Sequence, residues 1–235
     1  MTTLLPDSFD HLSPITDGIW HVQRRFSIMG IPASSRMTVV RLHDGGLWLH
    51  SPVRLDAALR QQIDALGPVR HIVAPNQFHH LFAPAWAKAY PQARCHAAPG
   101  LGRKVSALAN WAVLNEQDSP WQGDLDQCLL QGMPAVNEFV WLHRASGTLI
   151  LTDSAQWIPH PLDWRDRLFA RLMGVHQSLA VSRLFRNAIK DYQALQASFE
   201  QVLTWDFDRV VLGHEVVIDT HGKGMLQQAL QRLQG

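Results

Sequence analysis

Three segments of this 235-residue chain share one design. A short apolar run ends, and a side chain able to hold a metal follows almost at once. Residues 69–74 lead to His79 and His80, residues 149–152 lead to Asp153, and residues 210–212 lead to His214. Three imidazoles and one carboxylate suit zinc, iron or manganese, ions that take nitrogen and oxygen donors. Taken singly, His79 and His80 could be hydrogen-bonding loop residues, Asp153 could cap a turn, and His214 could fix the turn it stands in. Their shared position just past an apolar run is what joins them. Asn76 could line the same place or cap the helix that follows it. Glu215 could orient His214 or be a solvated acid at a turn. His50 ends another short apolar run and could approach the same centre.

The elements that would position these side chains can be read from hydrophobic spacing. Residues 18–26, 36–42 and 47–50 read as strands, the last two joined by the turn His43-Asp44-Gly45-Gly46. Residues 54–66 carry apolar side chains at helical spacing and stop at Gly67-Pro68. Residues 69–74 read as a strand buried on both faces, and residues 75–80 as the loop after it. A helix over 83–90, a strand over 93–97 and a helix from Gly100 to Leu108 follow. The second half gives strands at 128–131, 138–143, 148–152 and 209–212, with a turn at Ala145-Ser146-Gly147. It also gives a helix over 191–203 that Asp191 can cap, and a closing helix over 224–233. This is an α/β layering, in which sites gather at the C-terminal ends of parallel strands. With no linker or low-complexity stretch in view, residues 1–235 read as one domain, with a helical insertion at about 159–190.

The chain resembles the metallo-β-lactamase superfamily in the order His-rich loop, Leu-Thr-Asp-Ser and Val-Leu-Gly-His-Glu. It is most similar to that superfamily's DUF4336 branch in the stretches Gly45-Gly46-Leu47-Trp48-Leu49-His50-Ser51-Pro52 and Ala74-Pro75-Asn76-x-x-His79-His80. The resemblance spans about Gly18 to Gly235 and implies a four-layer αββα sandwich. In that superfamily the loop reads His-x-His-x-Asp-His. Setting His80 on its last His puts His79 on its Asp, Gln77 on its second His and Pro75 on its first. The next expected His falls near Gly132-Met133-Pro134, with Met133 in its place. The three ligands of one metal site are thus replaced. The other site keeps His79, His80, Asp153 and His214 as implied ligands, with Asn76, Gln77, His50, Met133 and Glu215 around them.

The resemblance implies a metal-dependent hydrolase-like protein of unknown substrate, with one divalent ion (zinc, iron or manganese) activating water toward an ester, thioester or amide carbonyl. No separate general base stands out. Two alternatives stay open: a metal-free small-molecule binding domain, and a mononuclear iron oxygenase. Cys95 and Cys128 form no CxxC pair and read as reduced thiols of a cytoplasmic protein. The net charge of +1, with basic residues scattered among acids, excludes a nucleic-acid face. With no apolar run of spanning length, no membrane partner is expected. A small molecule is the expected partner. The insertion, with six Lys and Arg residues among large apolar ones, could be a lid, a homodimer surface or a cover on the sheet.

Overall fold

A computed structural model describes residues 4–5, 9–28, 31–159 and 164–233. The chain forms two compact units, Asp7–Asp126 and the remainder, Met1–Pro6 with Gln127–Gly235. Strand β1 (Leu4–Leu5) belongs to the sheet of the second unit.

The first unit is built on a seven-stranded sheet in the order β2 (Ser13–Thr16), β3 (Ile19–Ile28), β4 (Ile31–Arg41), β5 (Leu47–His50), β6 (Val69–Ala74), β7 (Arg94–Ala97) and β8 (Ala112–Val113). Strands β2 to β5 pair antiparallel and β5 to β8 parallel. The switch happens where helix α1 (Ala57–Leu66) carries the chain from β5 to β6. The helix begins three residues later than the apolar spacing suggests. Asp56 stands extended and its carboxylate accepts from the Leu59 amide at 2.8 Å, which fixes the first turn there.

Strand residues alternate between two faces. Val22, Met37, Val39, Leu49 and Ile72 pack with Leu59 and Ile63 of α1 and with Trp86 of α2 (Ala83–Ala89) in one apolar core. The Trp86 indole donates to the Val53 carbonyl at 2.7 Å, so its ring is buried without an orphaned N–H. The opposite strand face is polar yet buried. His21, Gln23, Arg36, Thr38, His50, His71 and His96 are each under 9% exposed. Arg36 donates to His21 Nδ1 and to Gln23 Oε1, both at 3.0 Å. His71 and His96 share a hydrogen bond at 3.1 Å with Trp121 packed edge-on against both rings.

The helix expected from Gly100 to Leu108 is broken. It runs as α3 (Leu101–Lys104), then Val105 turns extended, then a 3-10 turn covers Ser106–Leu108. At Gly102 the backbone of Leu108 and Ala109 comes too close for a side chain to fit without displacement, so the segment folds back on itself.

The second unit carries a six-stranded sheet. Its order is β1, β13 (Val217–Ile218), β12 (Arg209–Val211), β11 (Thr148–Ile150), β10 (Phe139–His143) and β9 (Leu125–Leu129). Strands β11 and β12 run parallel, so their C-terminal ends leave the sheet side by side. Helix α6 (Tyr192–Thr204) is capped as its sequence suggests, with Asp191 accepting from the Ala194 amide at 3.0 Å. It and α7 (Gly222–Gln231) bury Leu195, Phe199, Val202, Leu226 and Ala229 against Leu149, Leu151, Val210 and Leu212.

The expected insertion at 159–190 falls partly outside the described residues. Within them it holds α4 (Trp164–Met173) and α5 (Arg183–Arg186), separated at Gly174, whose φ of 77° ends the first helix. Cys95 is half-buried and Cys128 buried, both as free thiols.

Candidate functional site

The candidate residues divide between the two units, and each group sits where parallel strands end. In the first unit β5 and β6 deliver His50 and the 75–80 loop. In the second, β11 and β12 deliver Asp153 and His214.

The 75–80 loop is organised by Asn76. Fully buried, its side-chain oxygen accepts from the amides of Phe78 and His79, both at 2.8 Å. Asn76 therefore caps this turn rather than the following helix, whose N-cap position is Phe82, and the turn sets where His79 points. Gln77, which stands in place of a histidine, is held elsewhere: its amide nitrogen donates to the Pro99 carbonyl at 2.6 Å. Lys104 Nζ donates to the Gln77 carbonyl at 2.6 Å and lies over the Phe78 ring.

His79 is buried, and its Nδ1 meets the hydroxyls of Ser51 at 2.6 Å and Ser35 at 3.3 Å. If Nδ1–H donates to Ser51, the lone pair lies on Nε2, the tautomer that ligates a metal through Nε2. Ser51 reaches this place through a left-handed backbone, φ 55°, directly after β5. Its own amide still donates to the Val73 carbonyl at 3.0 Å, so the sheet holds it in this unusual conformation. His80 is half-buried. Burial, then the Lys104 charge, then His79 lower its pKa from the ordinary imidazole value, which keeps it a neutral donor. His50 is fully buried and stacked on Trp48, with ring centroids 5.3 Å apart. Burial, with His79 adding to it, holds its pKa well below the usual imidazole range.

In the second unit the structure brings two candidates together. His214 Nε2 and Asp153 Oδ1 lie 3.0 Å apart, with Asp153 buried and His214 half-buried. Glu215 follows with φ 50°, and the Val216 amide closes a tight turn onto the His214 carbonyl at 2.7 Å. Among the described residues five non-glycine positions have positive φ, and two of them, Ser51 and Glu215, adjoin candidate ligand positions. Met133, which takes the place of a histidine, is a buried core residue packed with Leu130 and Val136.

Asp153 is placed by a residue that sequence reasoning passed over. Glu138, fully buried, accepts from the amides of Thr152 at 2.6 Å, Asp153 at 3.0 Å and Ser154 at 2.9 Å. It also accepts from the Ser154 hydroxyl at 3.1 Å. Each carboxylate oxygen takes two donors, so the ionised form satisfies all four. Burial, then the charge of Asp153, push its pKa up, and the amide donors work against that rise. The only signal in the sequence is an acid opening an otherwise apolar strand. Ser35 gave no signal, and Ser51 stood out only as part of the stretch similar to the DUF4336 branch.

These donors fit a small divalent ion. Metal–nitrogen and metal–oxygen bonds near 2.1 Å at a tetrahedral angle set neighbouring donors about 3.4 Å apart. The His214–Asp153 separation of 3.0 Å is within a few tenths of an ångström of that. A cation would replace the hydrogen the two now share.

A family model described as a domain of unknown function, DUF4336, matches residues 16–162. No curated protein matches the chain in sequence. Among solved structures it is similar to a metallo-β-lactamase from Pontibacter korlensis, with TM-score 0.65 and 11% identity over 96% of this chain and 99% of that one. It is similar to the metallo-β-lactamase FIM-1 from Pseudomonas aeruginosa in its mono-zinc form, with TM-score 0.66 and 12% identity over 97% of this chain and 96% of that one. It is also similar to a metal-soaked flavodiiron core from Synechocystis, with TM-score 0.64 and 9% identity, covering 97% of this chain and 61% of the other. At such identities the likeness shows the fold, and the fold is the metallo-β-lactamase one that the sequence led us to expect.

Proposed function

The chain belongs to the DUF4336 family, whose description names no reaction, and from the residues it carries on a metallo-β-lactamase fold we propose that it is a metal-dependent hydrolase-like protein with a single-ion site. His79, Asp153 and His214 would each give one ligand atom, the first two from buried positions. His80 is not one of that cluster and enters as the fourth donor only by the family resemblance. The observation that carries this reading is the His214–Asp153 pair at 3.0 Å, at the ends of two parallel strands. The mono-zinc form of FIM-1 supports it, since it shows this fold taking one zinc ion.

When bound, the ion would supply Lewis acidity, toward water or toward a substrate carbonyl. The chain's own residues do the positioning. Ser51 holds the His79 ring and its tautomer. Glu138 holds the 152–154 backbone, so that the Asp153 carboxylate stays turned to His214. Such partners set ligand orientation and basicity, and their loss commonly costs tenfold to a hundredfold in metal affinity. The replacement of three family histidines by Pro75, Gln77 and Met133 supports one ion rather than two.

Zinc and iron would lead to different chemistry on these donors, hydrolysis with the first and oxygen chemistry with the second. The flavodiiron likeness is what keeps the iron reading beside the hydrolase one. A metal-free binding domain is favoured by a different observation: Asp153, His214 and His79 all have hydrogen-bond partners without an ion.

The test is hydrolysis of a panel of esters, thioesters and amides by zinc-, manganese- and iron-loaded protein, beside His214→Ala. Turnover that needs metal and falls at least tenfold in the variant is expected. Turnover equal in the variant or in chelator, or none on any member of the panel, would overturn the hydrolase reading. Oxygen uptake with iron alone would move it to the oxygenase.

A further inference from the structure

Helix α4 presents its apolar stripe outward. Helical positions advance about 100° per residue, which puts Trp164, Leu168 and Leu172 on an arc of about 80°. They are 69%, 50% and 53% exposed. Ala170, the buried residue of this helix, lies on the opposite side of it. Arg167 and Arg171 border the arc along one edge and Arg165 along the other, all three exposed. Beyond Arg165 comes Phe169, 51% exposed. Arg183 Nη1 donates to the Leu172 carbonyl at 3.1 Å, which ties the start of α5, with exposed Leu184, to the end of α4. A helix of a globular protein ordinarily turns such a stripe toward its core.

We propose that this face of α4 is a membrane-docking surface whose partner is an anionic lipid bilayer. A tryptophan with two leucines on one face, edged by arginines and with a phenylalanine beyond one of them, has the make-up of a helix lying in the bilayer interface. The indole would sit at headgroup depth, the leucines would reach the acyl boundary, and the guanidinium groups would pair with lipid phosphates. Charge separates this partner from a second copy of the chain. An isologous dimer through this face would set Arg165, Arg167 and Arg171 against the same arginines of its partner, whereas an anionic surface attracts all three. Among the described residues no helix is long and apolar enough to cross a membrane. A helix lying on the surface needs no such length. The sequence-based expectation of no membrane partner rested on a criterion for spanning segments, and this proposal revises it.

Co-sedimentation of the full chain with vesicles tests it, comparing phosphatidylcholine alone with phosphatidylcholine holding a third phosphatidylglycerol. Binding to the anionic vesicles is expected, with a blue shift of tryptophan emission and affinity at least tenfold weaker on neutral vesicles. Replacing Leu168 and Leu172 by Glu should lower affinity by about a hundredfold or more. Arg165→Gln, Arg167→Gln and Arg171→Gln together should lower it by about a hundredfold. All these side chains are exposed, so the urea midpoint should stay unchanged and certify the fold of each variant. No binding to anionic vesicles at millimolar lipid, equal binding to neutral ones, or equal binding by the leucine variant overturns the proposal. So does self-association that the leucine variant abolishes while vesicles bind nothing.

Discussion

Replacing Glu138 by Gln probes how Asp153 is held. The carboxylate takes two donors on each oxygen, three of them backbone amides. A glutamine keeps the shape but turns one oxygen into an N–H₂ group. That group would face either the Thr152 amide or the amides of Asp153 and Ser154, donor against donor, in a place without water. Each buried amide left without an acceptor costs about 1–3 kcal/mol. With one or two amides affected, and with a buried charge removed at the same time, the net loss should be about 2–4 kcal/mol. Glu138→Ala strands all three amides and should cost about 3–6 kcal/mol. The assay is urea unfolding of metal-free protein, followed by metal titration of whatever remains folded. Glu138→Gln should also weaken metal binding by about tenfold to a hundredfold, because Asp153 loses its backbone anchor. A loss below about 1 kcal/mol in both variants would refute the four-donor carboxylate, since stranded buried amides cannot be that cheap.

Three further outcomes follow from the geometry. His21 is held neutral, its pKa lowered to about 3 by burial first and the Arg36 charge second. The unfolded chain therefore binds the proton first, so the stability His21 contributes is present above about pH 6.5 and is lost as pH falls toward 3. Urea midpoints should thus report a loss of about 1 kcal/mol from His21 alone between pH 7.5 and 5.5. His71 and His96, each lowered to about 4 mainly by burial, add to the loss in the same direction, and a flat profile would contradict the buried neutral imidazoles. Ser51→Gly relieves a left-handed backbone and should leave stability unchanged or raise it by up to about 1 kcal/mol, while metal titration shows roughly tenfold weaker binding because His79 loses its hydroxyl partner. Gly132→Ala should cost more than about 2 kcal/mol in urea unfolding, because φ is 81° there and an added methyl would meet the Asp191 carbonyl.

Much of the framework was legible because burial dictates composition. The run 69–74 is apolar except at exposed Arg70 and buried His71, and strand β6 occupies those residues. Asp191 announces the start of α6 by its chemistry. Boundaries were lost where side chains carry weak preferences. The first half of β4, Ile-Pro-Ala-Ser-Ser, has no strand signature, and it is the pairing with β3 that makes it strand. The two-residue strands β8 and β13 are likewise made by their neighbours. In the candidate site, the side chains able to hold metal could be read from type and place, since each follows a strand end. Their supports could not. Ser35, Ser51 and Glu138 lie distant in sequence from the residues they hold, and only pairing of distant strands brings them near. The composition of the helical segment fits a lid, a homodimer surface or a cover on the sheet alike, and only the structure shows that α4 turns Trp164, Leu168 and Leu172 out.

The central claim is one ion on His79, Asp153 and His214, and metal stoichiometry tests it most directly. Purified chain, stripped with chelator and then dialysed against zinc, manganese or ferrous iron, should retain one equivalent by mass spectrometry of the metal. The same treatment of His79→Ala, Asp153→Ala and His214→Ala, each verified as folded, should leave less than a fifth of that. Less than a tenth of an equivalent in the unaltered chain, or a full equivalent in all three variants, would contradict the account.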